Sequence, residues 1–189
     1  MRLLLLTLVF LAGAALAQED VGMVDLVAGE VAFQAGRVKP YMKVREGDRF
    51  ELPEGAQLRL VYFAGGRQER WQGPARFRVG KQESAALAGK PSQATVLPAS
   101  VPHRLARAPE LTRNAVFGGI AVRGQKPPGG ETEETLREAR ATYARLRREL
   151  PADDLTPELF LYAALAAGPN PDSEEVKNLA ARLAERQQR

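Results

Sequence analysis

Residues 57–79 of this chain read QLRLVYFAGGRQERWQGPARFRV, and the alternation in this stretch decides the fold class. Its last segment, 75–79, alternates apolar residues with Arg76 and Arg78. Successive side chains of a strand point to opposite faces, so this pattern predicts a strand with one buried face and one face in water. Residues 57–63 follow the same period of two, but both faces are largely apolar. They therefore predict a strand in the middle of a sheet.

Glycine turns separate this strand from its neighbours. Gly65 and Gly66 precede residues 67–71, and paired glycines reach the positive φ angles of hairpin turns. Further turns punctuate the earlier strands, at residues 28–29, 35–36 and 53–55. Short strands separated by such turns predict an antiparallel, sandwich-like or barrel-like β-rich domain over residues 18–97.

The pattern loosens between residues 80 and 130. Six prolines fall there, at positions 91, 98, 102, 109, 127 and 128. We expect connection rather than core in this stretch, with two short strands at 94–97 and 116–122. The sequence thus predicts a Pro/Gly/Arg-rich connecting segment over 98–130, which ends at the boundary 127–130.

Three helices are predicted in residues 131–189, so the fold class is α+β. The first, 132–150, has an apolar stripe, an acidic start and a basic end, which suit the helix dipole. The second begins with Thr156 as its capping residue and a proline at its first helical position, and it ends at Gly168. The third begins at Asp172, with Glu175 completing a capping box. Tyrosine and alanine spacing in the first helix resembles a tetratricopeptide unit, but no second copy follows about 34 residues later.

The first 17 residues indicate export. Arg2 precedes an apolar run of about 15 residues, shorter than the roughly 20 that span a bilayer, and the run ends in Ala15-Leu16-Ala17. This pattern is typical of a cleavable secretory signal, so we expect a periplasmic chain that begins at Gln18. The sequence contains no cysteine, so neither a lipid anchor nor a disulfide is expected.

Positive charge concentrates in the middle of the chain. Residues 67–113 hold nine basic and three acidic residues, a balance of +6, while both flanks are near neutral. An exported protein does not ordinarily meet nucleic acid, so the anionic partner would be a lipid surface, an envelope polymer or an acidic protein face. The alternative interpretation is a solvated strand face, because arginine commonly occupies outward strand positions.

The inventory of catalytic residues is small. The single histidine, His103, has no G-x-S-x-G motif to accompany it, and we expect an exposed loop residue there. A zinc site is disfavoured, because such sites draw their ligands mainly from cysteine and histidine, and the sequence has no cysteine and one histidine. Asp153 and Asp154 fit helix capping better than calcium binding. Glycines 118, 119 and 124 do not form a phosphate loop. The sequence therefore predicts no enzyme, no cofactor and no metal.

A hydrolase that uses only two carboxylates is the remaining enzymatic alternative, since it needs only acids on either side of a cleft. The acids of the β-rich region lie beside turns, as solvated residues do. They are Glu30, Glu46, Asp48, Glu51 and Glu54.

The candidate binding residues are Arg70, Trp71, Arg76 and Arg78. Trp71 is the only tryptophan, and an exposed ring beside arginines could serve as a stacking platform for a partner. Core packing is the favoured alternative for this ring, because aromatic residues supply much of the burial in small sheets.

Four short motifs of the strand region resemble those of the periplasmic FecR-type domain. They are 27-VAGEV-31, 44-VREGD-48, 58-LRLVYFAGG-66 and 73-GPARFRV-79. The resemblance covers residues 24 to 80 and implies an exported sensing or binding domain without catalytic residues. Relatives usually have Asp-Gly in place of Gly65-Gly66, and both pairs suit a primed turn. Full regulators of the family also carry a cytoplasmic segment that restrains a sigma factor. We expect no such segment here, so the resemblance does not imply anti-sigma activity.

These observations predict an exported, non-catalytic binding or sensing module of the bacterial envelope that acts through contacts with an envelope protein. Arg70, Arg76 and Arg78 are the expected charged contacts, and Trp71 the expected anchor; the helices offer a second partner surface. The alternative is a binder of an anionic envelope polymer or membrane surface. In either case, another protein would carry a signal onward.

Overall fold

The computed structural model describes residues 19–34, 36–108 and 131–188. These residues form two antiparallel five-stranded sheets and a set of helices, which confirms the predicted α+β class with an N-terminal β-rich part. Four predicted features lie outside the described residues: the signal segment 1–17, the strand 116–122, the glycines at 118, 119 and 124, and the boundary 127–130.

One sheet packs against the helices, and we call it the helix-facing sheet. In spatial order its strands are β10 (Gln93–Val96), β7 (Arg67–Gln72), β6 (Gln57–Tyr62), β1 (Asp20–Ala28) and β4 (Lys43–Arg45). We call the other sheet the outer sheet. In spatial order its strands are β3 (Gly36–Arg37), β2 (Ala32–Phe33), β5 (Arg49–Leu52), β8 (Ala75–Val79) and β9 (Ser84–Ala88).

The described helices are α1 (Ser100–Arg107), α2 (Glu133–Glu149), α3 (Thr156–Ala166) and α4 (Glu174–Gln188). The last three confirm the predicted C-terminal helices. Thr132 caps α2, since its side chain accepts the backbone N–H of Thr135 and the Thr135 hydroxyl accepts the backbone N–H of Thr132. None of the described helices combines the length and the apolar character that crossing a bilayer requires.

Two apolar cores lie on either side of the helix-facing sheet. Between the sheets, Leu58, Leu60 and Trp71 pack with Phe50 and Phe77. On the other face, apolar side chains of the sheet join those of the helices, among them Met23, Val61, Leu105, Leu159 and Phe160. The helices therefore pack directly on the sheet, which the sequence left open.

Both strand predictions from the opening stretch are confirmed. In β8, Ala75, Phe77 and Val79 are buried while Arg76 and Arg78 are exposed. Strand β6 is the central strand of its sheet, and all its residues after Gln57 are buried. Its second face, which carries Arg59 and Val61, is buried because helices cover it.

The predicted hairpin joins β6 and β7. Gly65 and Gly66 have φ angles of 83° and 67°, which L side chains rarely adopt. A Cβ at Gly66 would also lie 2.9 Å from the backbone oxygen of Leu97. Glycine is required there because the backbone of the segment after β10 passes close to the turn.

Residues 80–108 differ from the expectation of simple connection. The predicted strand 94–97 is confirmed as β10, but β9 and α1 were not predicted. Val101 and Leu105 of α1 are fully buried, so the start of the predicted connecting segment belongs to the core. Pro102 lies in the first turn of α1, where the missing N–H has no intrahelical partner in any case.

Two predicted helix caps are wrong in detail. The Thr156 hydroxyl does not cap α3; the Asp154 carboxylate accepts the Thr156 N–H at 2.9 Å instead. At the start of α4, the oxygen that accepts the Val176 N–H, at 3.4 Å, belongs to Ser173 rather than Asp172.

Candidate functional site

The outer sheet turns a basic face to solvent. Arg76 and Arg78 project from β8 because they alternate with the buried Phe77. Arg49 of β5 lies directly opposite Arg78, and Glu51 lies opposite Arg76. Like charges directly opposite on neighbouring strands destabilise a sheet, so this arrangement costs free energy in the isolated chain.

The same face extends to the edge of the sheet. Arg37 of β3 lies opposite Ala32, which in turn lies opposite Glu51. We define the basic face as the four exposed arginines on this side of the outer sheet, Arg37, Arg49, Arg76 and Arg78. None of these guanidinium groups forms an ion pair with another described residue.

Arg70 and Trp71 do not belong to the basic face. Both lie on β7 of the helix-facing sheet, where Arg70 points toward the helices and pairs with Asp153 at 3.4 Å. Trp71 is fully buried and stacks on Phe77 with ring centroids 4.4 Å apart. The predicted surface anchor at Trp71 is therefore wrong and its core-packing alternative is confirmed. The structure does not bring the four predicted residues together.

The remaining predicted residues fall at scattered positions. His103 is exposed, as expected, but it lies on α1 rather than in a loop. The acids beside the strand turns are exposed, with the exception of Asp48, which is half-buried and accepts the Arg45 N–H at 2.8 Å. Asp153 and Asp154 pair with different arginines. Among the described ranges, no three His, Asp or Glu side chains are grouped so as to hold a metal ion.

A second candidate site is a buried polar cluster between the helix-facing sheet and α3. We define the buried polar cluster as Asp25, Arg59, Gln68, Asp154 and Thr156, whose exposed fractions all lie at or below 6%. The sheet contributes the first three residues. Asp25 lies where β1 shifts register against β6, and such a bulge can redirect a side chain.

Arg59 joins the two carboxylates of the buried polar cluster. Its Nε lies 2.9 Å from both oxygens of Asp25, and its Nη2 lies 2.8 Å from Asp154 Oδ1. The Thr156 hydroxyl donates to Asp25 Oδ2 at 2.6 Å, and Gln68 Nε2 donates to the same oxygen at 3.0 Å. Two acids thus share one cation in a buried environment, and the bonds connect the start of α3 to three strands.

The charges of the buried polar cluster shift one another's ionisation. Burial raises the pKa of the Asp25 carboxyl above its ordinary value; Arg59 opposes this rise and the Asp154 carboxylate adds to it. Burial lowers the pKa of Arg59, but the charges of Asp25 and Asp154 outweigh this effect and raise it. Arg59 therefore remains charged, and the Asp25 carboxyl binds a proton at a higher pH than an ordinary aspartate does.

The raised pKa of Asp25 predicts a pH dependence of stability. Between the unfolded pKa, about 3.9, and the higher folded pKa, the folded chain binds more protons than the unfolded chain. The contribution of Asp25 to the free energy of unfolding therefore falls as pH rises through this window. We expect the difference between the natural chain and Asp25→Asn to shrink as pH rises above about pH 4 in urea unfolding. A difference that grows with pH would mean a lowered pKa.

A cavity of about 220 Å³ adjoins the buried polar cluster. Arg59, Arg70 and Gln68 line it from the sheet; Glu149 lines it from the end of α2 and Asp154 from the connection between α2 and α3. Asp154 already bonds to the Arg59 guanidinium and the Thr156 N–H, so its carboxylate is engaged in holding the fold. The two acids of this cavity therefore do not form the pair of free carboxylates that the hydrolase alternative requires.

The sequence pointed to the basic face through the alternation in β8, but not to the buried polar cluster. The available signal was polar residues within apolar strands, namely Asp25 between Val24 and Leu26 and Arg59 between Leu58 and Leu60. Such residues need a partner when both sheet faces are covered.

No family model, no curated protein and no solved structure matches this chain.

Proposed function

We propose that this chain is an exported, non-catalytic binding module of the bacterial envelope, which captures an acidic surface of an envelope protein on the basic face. The observation that supports this most is the grouping of Arg37, Arg49, Arg76 and Arg78 without ion-pair partners among the described residues. The free energy cost of keeping Arg49 opposite Arg78 is offset when an acidic partner supplies the missing charges.

Export of the module is proposed from the first 17 residues, whose basic start, short apolar run and small-residue end are typical of a secretory signal. The motifs that resemble the FecR-type domain support a sensing or binding role in the periplasm. In this proposal the module works by engaging another protein, which then carries the signal across the membrane.

Charge reversal on the basic face tests the protein-binding proposal. We expect Arg76→Glu/Arg78→Glu to lower the yield of the partner crosslinked in cells by about tenfold or more, since desolvated charge pairs couple by at least about 1.5 kcal/mol. Both side chains are exposed, so the thermal midpoint should stay close to that of the natural chain. The measurement is in-cell crosslinking of the exported protein, followed by quantitative mass spectrometry of the captured proteins.

The matched control is Arg137→Glu/Arg145→Glu, which changes the net charge equally on two exposed residues of α2. Its crosslinked yield should equal that of the natural chain. Equal crosslinked yields from the natural chain and from both double variants would show that the basic face does not bind the partner.

Binding to an anionic polymer or membrane surface is the second candidate, because like charges are grouped on the basic face and Arg49 lies directly opposite Arg78. Vesicles containing phosphatidylglycerol distinguish it from protein capture. At physiological ionic strength, salt screens the attraction between exposed charges beyond a Debye length of about 8 Å. Vesicle binding through exposed charges alone should therefore weaken as salt is raised, whereas a protein interface with apolar contacts persists. Retention of vesicles at low ionic strength that is lost at physiological ionic strength would favour this second candidate.

A further inference from the structure

Strand β9 is an edge of the outer sheet with an open side. It lies last in the spatial order and pairs only with β8. Its sequence, Ser-Ala-Ala-Leu-Ala, contains no charged residue and no proline. Natural proteins protect edge strands with lysine, proline, a bulge or a covering element, because a bare edge accepts another strand. Of these devices β9 has the irregularity at Leu87, and the stretch from Ser84 to Ala86 stays in regular register with β8. Residues 85–87 of this edge are exposed, so no described part of the chain covers these three positions.

The open side of β9 offers a backbone donor. The Ser84 N–H points away from β8, toward Glu69 Oε1 at 3.4 Å. N–H groups alternate in direction along a strand, and β9 keeps its register with β8 from Ser84 to Ala86. The Ala86 N–H is therefore also directed away from β8, where an added strand could accept it.

Exposed apolar side chains accompany this edge. The large apolar residues with high exposure in the described ranges are Leu87, at 57%, and Val96, at 73%. Leu87 lies on β9, the edge strand beside β8, and Val96 lies on β10, the edge strand beside β7. Strands β7 and β8 pack against each other through Trp71 and Phe77. Each exposed residue thus lies on an edge strand next to one member of this pair. An added strand at β9 would cover Leu87.

The neighbouring arginines favour an acidic strand. Ala88 lies directly opposite Arg76, and Ala85 lies directly opposite Arg78. Strands are about 4.8 Å apart, and short alanine side chains leave the long arginine side chains free to extend across β9. Glutamate or aspartate on the same face of an added strand would then meet the two guanidinium groups.

We propose that the acidic partner binds by adding an extended segment to β9, with alternate acidic side chains directed at Arg76 and Arg78. This inference rests on the proposed protein-binding function and names its mode: backbone hydrogen bonds at the edge supply affinity, and the basic face supplies the preference for acidic sequences. A second copy of this chain fits less well, because joining two β9 edges brings two basic faces together and adds like-charge repulsion.

A short peptide in which valine and glutamate alternate is the probe, and one in which valine and lysine alternate is its control. Fluorescence anisotropy should show binding of the glutamate peptide alone. Amide hydrogen exchange at Ala86 should slow in its presence, which binding through side chains elsewhere would not cause. A glutamate peptide that binds without protecting Ala86 overturns strand addition.

Ala86→Pro removes the free donor, and proline is tolerated on an edge strand where the N–H faces solvent. We expect this variant to bind the glutamate peptide about tenfold more weakly, because one hydrogen bond and the local strand geometry are lost. Leu87→Glu should weaken binding similarly through repulsion, whereas Leu87→Lys should retain it; both changes fall on an exposed side chain and leave the fold intact. Unchanged binding in Ala86→Pro and Leu87→Glu contradicts the proposal.

The result separates failure of strand addition from failure of the proposed function. If Arg76→Glu/Arg78→Glu abolishes partner capture in cells while Ala86→Pro and Leu87→Glu leave it intact, the basic face binds the partner without an added strand. If none of these variants changes capture, the basic face is also excluded. A concentration-dependent dimer in sedimentation, abolished by Leu87→Glu, would assign the edge to a second copy and overturn the acidic-segment proposal.

Discussion

Replacing Arg59 with methionine should lower the free energy of unfolding by about 3–5 kcal/mol, the loss typical of removing one partner from a buried ion pair. Arg59 is 3% exposed and holds both Asp25 and Asp154, which are equally inaccessible. Methionine has a similar length, so the variant removes the charge while leaving little empty volume. Urea unfolding at neutral pH, followed by far-UV circular dichroism, measures the loss.

Arg45→Met is the matched control, because Arg45 pairs with Asp20 while its side chain is 57% exposed. The same change there should cost less than about 1 kcal/mol. Acidification should restore part of the stability of Arg59→Met, since a protonated Asp25 carboxyl no longer needs a cation. A loss in Arg59→Met as small as that of the control would mean that the buried polar cluster does not connect α3 to the sheet.

Replacing Trp71 with alanine should cost about 3–5 kcal/mol, as other large-to-small changes in cores do. The ring is fully buried between the sheets, stacks on Phe77 and donates from its indole nitrogen to Glu69 Oε2 at 3.1 Å. Alanine leaves a cavity and removes this hydrogen bond to a buried acid. Differential scanning calorimetry of the variant measures the loss.

Trp71→Phe separates the packing role from a binding role. It keeps an aromatic ring against Phe77 but removes the indole N–H, so the loss should be smaller than that of alanine. Because the ring is inaccessible, capture of the partner by Trp71→Phe should equal that of the natural chain at a temperature where both are folded. A specific loss of capture with unchanged stability would return Trp71 to the binding surface.

Much of the strand and helix pattern could be predicted from sequence alone. The alternation around Phe77 set which face of β8 is buried, and the apolar second face of 57–63 placed β6 in the middle of a sheet. Gly65 and Gly66 located the hairpin. These features are local, because side-chain direction follows from the covalent geometry of the chain.

The segments that were missed carry weak local signals. Strand β9 is mostly alanine and has no alternation of apolar and charged residues. Helix α1 contains Pro102, which favoured a break, yet its first-turn position makes the proline compatible with a helix. In both cases tertiary contacts, with β8 for one and with α3 and β1 for the other, decide the conformation.

For the candidate sites, the sequence by itself determined that Arg76 and Arg78 share an exposed strand face, since a period of two places them there whenever Phe77 is buried. Only the tertiary structure decided that Arg49 and Arg37 join them, that Arg70 faces the helices and that Trp71 is in the core. The buried polar cluster depends on tertiary structure most strongly, because it bonds Asp25 to Thr156 across 131 positions of sequence. Local patterns specify the direction of a side chain, but which groups meet depends on the packing of distant elements against one another.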